Sequence, residues 1–223
     1  MALSGCGGSG HSAATATSTS TSTTHAVPAG PSPVPERIVS RAKASILPVR
    51  CASDNANLAG TAFVTAGGII TALHVVAACA AAVSVGTATG NLVGNDRAHD
   101  LALLRTDGFE SGSAPPALEL ESRRPAVGES LALFGFPGGR GKLSVLSGTI
   151  IAVDKPATLT SRDGVREKLN DVISVDVEGL APGDSGGPAI DARGKVVGVV
   201  EAGGTGFAYL TPASHIQRGP QGA

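Results

Sequence analysis

An all-β fold is what this chain's composition and its pattern of short apolar runs predict. Of its 223 residues, 31 are glycine and only 3% are aromatic, a mixture that favours many tight turns over long helices. From Arg37 onward the apolar residues fall in short runs broken by Gly, Asn and Asp, the spacing of a sandwich or barrel. A hydrophobic content of 42% is enough to bury one large core or two small ones.

The segment before Arg37 is different. From Ser12 to Thr24 ten of thirteen residues are Ser or Thr, and Pro28, Pro31, Pro33 and Pro35 follow with hardly an apolar side chain between them. Such a stretch buries too little surface to offset its chain entropy, so residues 1–36 are expected to be a disordered tether. Its start, Leu3-Ser4-Gly5-Cys6, resembles the lipobox of bacterial lipoproteins, in which the cysteine is lipidated and a spacer follows. No charged or apolar signal region precedes it, so Cys6 is either such an anchor or an incidental residue of the tail. The anchor implies an extracytoplasmic protein, secreted or held at a bacterial cell surface.

Charge and cysteine content exclude several classes. The 17 basic and 18 acidic residues are scattered, with a net charge of -1, which leaves no basic face for nucleic acid. No apolar run approaches the roughly 18 residues of a membrane span. Cys6, Cys51 and Cys79 form no C-x-x-C pair and no histidine sits at ligand spacing, so neither a metal nor a cofactor is expected. Cys51 and Cys79 would be two buried thiols in a reducing cytosol, but with the tail pointing to an oxidising compartment they are expected to form a disulfide.

Strands are expected near residues 45–51, 60–65 and 69–72. In Thr71-Ala72-Leu73-His74-Val75-Val76 the histidine closes a strand and opens an Ala-rich helical turn running to about Ala82. Further strands are expected near 82–86 and 92–95. In His99-Asp100-Leu101-Ala102-Leu103-Leu104 an acid opens an apolar strand. A carboxylate drawn inward there needs a hydrogen-bonding partner, and an imidazole would serve. A Pro-rich connector, Ser111 to Pro125, precedes a second set near 131–136, 143–153, 172–177 and 196–200. Between the last two lies Ala181-Pro182-Gly183-Asp184-Ser185-Gly186-Gly187-Pro188. Alone this is an ordinary turn. With a base and a base-orienting acid elsewhere in the chain, it reads as a nucleophile loop whose glycines free backbone amides and leave room around the Ser185 hydroxyl.

Together the three pieces resemble the trypsin-like serine peptidases, whose chain order is His, Asp, Ser. Thr71 to His74 match the family's T-A-x-H, Asp100 to Leu104 its D-[IL]-A-[LV]-[LV], and Gly183 to Pro188 its G-D-S-G-G-P. The 26-residue step from His74 to Asp100, and Gly60-Thr61-Ala62-Phe63-Val64, are similar to the bacterial HtrA-type branch. Only 38 residues follow Ser185, so no PDZ domain of that branch is expected.

The resemblance implies two packed six-stranded antiparallel barrels of chymotrypsin type, about 44–110 and 126–212, within a peptidase domain 37–217 and followed by a short tail, 218–223. It implies a secreted or surface-tethered serine endopeptidase with Ser185 as nucleophile, His74 as base, Asp100 as orienting acid, and the Gly183 and Ser185 amides as oxyanion hole. Protein or peptide substrates and a monomer are expected. The pocket for the P1 side chain would be built from Gly179, Glu201, Ala202, Gly203, Gly206 and Ala208; lacking a carboxylate at its base, it suits small or medium apolar residues. Glu201 stands where the family has a small residue facing the catalytic acid, and it either perturbs the site or points to solvent. The alternative is a silent binding module that keeps the peptidase fold. Arg37-Ile38-Val39 resembles a zymogen cleavage site, but Ser40 and Arg41 follow where two glycines are needed, so no proteolytic activation is expected.

Overall fold

The computed structural model describes residues 32–52, 57–79, 82–108, 114–139, 141–160, 166–219 and 221–222; Cys6 and nearly all of the expected tether lie outside them. Six strands close the first barrel: β1 (Ile46–Ala52), β2 (Asn57–Thr65), β3 (Gly68–Ala72), β4 (Val83–Val85), β5 (Ala88–Asp96) and β6 (Leu101–Thr106). Every pairing is antiparallel, in the ring order β1-β2-β3-β6-β5-β4 and back to β1. The turns between β2 and β3 and between β4 and β5 place Gly68 (φ 133°) and Gly86 (φ 60°) in backbone conformations that a side chain would strain.

The second sheet begins with β7 (Glu119–Leu120). It continues with β8 (Ser130–Gly135), β9 (Ser144–Thr160), β10 (Arg166–Val177), β11 (Pro188–Ile190), β12 (Lys195–Gly204) and β13 (Phe207–Pro212). Its ring runs β8-β9-β10-β13-β12-β11 and closes on β8, with β7 added in parallel to β12. The two-barrel, all-β architecture is the one expected.

The apolar runs of β2 and β3 are continuous rather than alternating because both faces of these strands are buried. Ala62, Val64 and Ile69 point into the first barrel with Val49, Val85 and Leu104. Phe63 and Ile70, one residue out of phase, face the seam between the barrels, where they meet Phe134, Ile190 and Val199 of the second. Phe63 is fully buried, a burial that stabilises by about 2 to 3 kcal/mol. The second barrel has its own interior of Leu131, Leu133, Ile150, Ile173, Val175 and Leu210.

Several elements depart from expectation. The connector contains β7, whose two residues are too few to show periodicity. Strands β9 and β10 run past the expected 143–153 and 172–177 as a paired ribbon, which carries few apolar residues because much of it faces solvent. Strands β11 and β13 and two helices were not expected: α1 (Glu36–Ala42) and α3 (Ala213–Gln217). The helix after β3, α2 (Leu73–Val76), ends well before Ala82. Just beyond it the chain turns back toward β1, where Cys79 forms a disulfide with Cys51.

Candidate active site

His74 is the second residue of α2, and its place is set by an acid from another loop. Asp100 ends the turn just before β6 with a left-handed backbone (φ 53°), a conformation Asp tolerates better than most residues. From there its carbonyl accepts the Leu73 N–H at 2.7 Å and its Oδ1 accepts the His74 N–H at 2.8 Å. Ala72, the residue at the start of the helix, offers no side-chain cap, so Asp100 satisfies the free amides of this short helix in its place. Its Oδ2 is left for the imidazole and forms a short hydrogen bond with His74 Nδ1. Asp100 is 9% exposed, whereas the His74 side chain is 47% exposed and open to a substrate. Burial pushes the Asp100 carboxyl up, but hydrogen bonds from the His74 and Glu201 side chains, with the His74 charge and amide, bring it below its ordinary value.

Ser185 lies in the loop between β10 and β11, clamped to the first barrel by β2. The Thr61 N–H donates to Ser185 O at 2.8 Å, and Thr61 Oγ1 donates to Gly183 O at 2.7 Å while accepting the Phe136 N–H at 2.9 Å. Gly186 (φ 85°) admits this contact: a Cβ there would fall 2.2 Å from Thr61 O and 2.3 Å from Thr71 Oγ1. Gly183 (φ 105°) is equally confined, since its Cβ would lie 2.4 Å from Phe136 O. The loop's own bonds use the Asp184 and Gly187 amides, which donate to Ala181 O and Asp184 O. Among the described residues the Gly183 and Ser185 amides are engaged by no carbonyl. Asp184 is buried at 3% exposure and accepts the Ala181 N–H at 2.9 Å; burial pushes its carboxyl above the ordinary value, and that bond only partly opposes the shift. No new amino terminus reaches it here, because Ile38 is helical and its N–H donates to Pro35 O.

Glu201 joins the two halves. It is the extra residue of a bulge in β12, between the pairs Val200–Leu210 and Ala202–Tyr209. Its carbonyl accepts the Ser185 hydroxyl at 3.1 Å, and its carboxyl, 2% exposed, faces His74 and Asp100 with one ligand-type atom from each within 4.8 Å of the others. It points neither to solvent nor along a pocket wall.

The other pocket residues are spread around the loop. Gly179 (φ 85°) and Gly206 (φ 82°) sit at turns, with Glu178 Oε1 3.4 Å from where a Gly206 Cβ would stand, and Ala208 is fully buried in the barrel interior. Ala202 and Gly203 continue β12. Leu180, which was not anticipated, occupies the space beside them, its Cδ2 2.3 Å from a Cβ built on Gly203. Thr61 was also missed as a clamp, because inside an apolar strand it reads as one more β-branched residue.

Behind Asp100 lies a second cluster that the sequence did not suggest. His99 and His215 stack with ring centroids 3.5 Å apart, His99 Nδ1 meets Asp96 Oδ2 at 2.7 Å, and Thr211 Oγ1 donates to His99 O at 2.9 Å. This pins the turn carrying Asp100 to α3. The cluster does not read as a metal centre, since Arg218 already sits against His215.

Comparison with known proteins agrees with this geometry. Residues 60–199 match the family described as Trypsin-like peptidase domain. Serine protease PepD of Mycobacterium tuberculosis is 28% identical over 145 residues, 59% of this chain and 30% of that protein. Serine protease Do-like HtrA of Bacillus subtilis is 32% identical over 112 residues, 50% of this chain and 24% of that one. The chain thus spans less than a third of the length of the curated relatives it matches. The crystal structure of the Rv3671c protease of M. tuberculosis in its active form superposes with a TM-score of 0.72 at 26% identity, covering 85% of this chain and 86% of that one.

Proposed function

Because the chain belongs to the trypsin-like peptidase domain family, we propose that it is a serine endopeptidase acting through Ser185, His74 and Asp100. The observation that carries this reading is the position of Glu201, which takes the Ser185 hydroxyl on its carbonyl while its side chain faces the hydrogen-bonded His74 and Asp100. Three residues from two barrels therefore surround one point on the seam.

In the reaction Ser185 Oγ turns from Glu201 O toward His74 Nε2, gives up its proton there and attacks the scissile carbonyl carbon. The negative charge that develops on the carbonyl oxygen is received by the Gly183 and Ser185 amides, held ready by the clamp to β2. Asp100 keeps the proton on His74 Nδ1, so that Nε2 is the basic nitrogen, and stabilises the imidazolium. His74 then protonates the leaving amine, and water repeats the sequence on the acyl-enzyme. Ala181 N–H supports Asp184 beneath the loop, so competence requires no cleavage after Arg37.

Leu180 narrows the space beside Gly203, which favours small apolar P1 residues in protein or peptide substrates. We assign the chain an extracytoplasmic place, since the Cys51–Cys79 disulfide persists in an oxidising compartment, and we place its tether at Cys6 on the likeness of Leu3-Ser4-Gly5-Cys6 to a lipobox. No helix among the described residues is long and apolar enough to cross a membrane.

Hydrolysis of a peptide library by the full chain tests the assignment. Ser185→Ala and His74→Ala are each expected to lower kcat by about 10⁴-fold or more, and the double variant by little beyond that, because the residues act as a unit. Undiminished hydrolysis by Ser185→Ala would overturn it.

A further inference from the structure

Two carboxyl groups meet at this site where one suffices, and the second is the more deeply buried: Glu201 is 2% exposed and Asp100 9%. The β12 bulge gives Glu201 a backbone position outside the regular ladder, with its carbonyl on Ser185 and its side chain toward Asp100 and His74. Asp100 already accepts two hydrogen bonds from His74, one at Oδ2 from the ring and one at Oδ1 from the amide. A carboxylate has lone pairs for more, and a third donor can be accommodated only if it brings a hydrogen. Two adjacent buried carboxyls cannot both ionise without a large repulsion, so a pair of this kind retains a proton. Among the described residues the titratable groups grouped with Glu201 are Asp100, from the turn before β6, and His74 from α2. Asp184 lines a small cavity with Val200, and the His99–His215 stack adjoins Asp100 through its chain neighbour His99.

We propose that Glu201 is a positioning residue that shares one proton with Asp100, its O–H donating to the Asp100 carboxylate, and that this proton must be held for His74 to work as a base that returns what it takes. The proposal rests on the peptidase reading for its consequence in catalysis, though not for the proton itself.

The consequence follows from charge. With the proton held, His74 faces one net negative charge, enough to orient the imidazole and stabilise its protonated form. With the proton lost, two negative charges face the ring: the imidazolium becomes too stable to release its proton to the leaving amine, and repulsion drives Glu201 and Asp100 apart. Asp100 would then also loosen its hold on the amides of α2. Activity therefore has an alkaline limit set by the pair, distinct from the acidic limit set by protonation of His74.

The test measures kcat/KM and the rate of Ser185 labelling by a fluorophosphonate across the pH range. The proteins compared are wild type, Glu201→Gln and Glu201→Ala. The wild-type rate should fall about tenfold or more from neutral to alkaline pH, the factor that accompanies a full unit of pKa. Glu201→Gln, whose amide donates to Asp100 at every pH, should stay flat over the same range, and Glu201→Ala, with no donor, should be slow throughout. A Glu201→Gln profile that superimposes on the wild type overturns the proposal. An infrared spectrum of wild-type protein carrying isotope-labelled glutamate gives a readout independent of turnover and of variant folding. A protonated glutamate carboxyl band at neutral pH that disappears on alkaline titration is expected, and its absence overturns the shared proton. If the band is present but Ser185 reacts at no pH, the peptidase reading falls and the proton pair stands.

Discussion

Acidifying the protein from about pH 7 to about pH 5 should destabilise it through one residue, His215. Its imidazole is 5% exposed, stacked on His99 and in contact with Arg218. Burial, then the charges of His99 and Arg218, bring it down from 6.5 to about 4, against a smaller opposing pull from Asp96 and Asp171. A histidine whose folded value is depressed contributes stability that is fully present above the unfolded value. That stability is lost as pH falls from 6.5 toward about 4, because over this window the unfolded chain binds a proton that the native state refuses. Linkage between these two values gives a loss of about 2 kcal/mol between about pH 7 and about pH 5, out of about 3 kcal/mol for the whole window. Asp100, whose carboxyl is lowered, loses stability only at more acid pH. Asp184, whose carboxyl is raised, acts with the opposite sign, its burial cost being relieved as it protonates. The difference between wild type and His215→Phe, which keeps a ring on His99 but cannot titrate, therefore isolates the term. Urea unfolding followed by far-ultraviolet circular dichroism suits a chain with no tryptophan. Parallel pH profiles for the two proteins would refute the reasoning.

Thr61→Val keeps the shape of the side chain but leaves Gly183 O and the Phe136 N–H without their hydroxyl partner; urea unfolding should show a loss of about 2 to 4 kcal/mol, with slower Ser185 labelling as the clamp loosens. Cys51→Ser/Cys79→Ser opens a loop spanning 28 residues and should lower unfolding free energy by about 3.5 kcal/mol, while mass analysis of alkylated wild type should show two thiols fewer without reductant than with it. Leu180→Ala enlarges the space beside Gly203, and a P1 library should shift from Ala and Val toward Leu and Phe by about tenfold or more.

What could be read in the chain, and what could not, follows from how locally each feature is determined. His74, Asp100 and Ser185 each stand in a short motif whose neighbours are constrained by the same turn or helix start, so residue types alone mark them. The barrel strands announce themselves where a strand is buried on both faces, as at 60–65 and 69–72. Strands β9 and β10 beyond the barrel, the two-residue β7 and the short helices α1 and α3 lack that density of apolar residues. Their places come from pairing and packing with distant segments. The same holds for contacts across the seam. Thr61 and the His99–His215 stack gain their roles from partners more than a hundred residues away, and no periodicity encodes such a meeting. Glu201 could be picked out as unusual, but whether it faced solvent or the acid depended on the β12 bulge, a one-residue shift in register that inverts a side chain's direction.

The most direct test of a nucleophilic Ser185 is covalent labelling of the full chain with a fluorophosphonate, followed by peptide mapping. A single adduct on Ser185 is predicted, absent in Ser185→Ala and strongly slowed in His74→Ala. A folded wild-type protein that takes up no label at any pH, or takes it up on another residue, would contradict it.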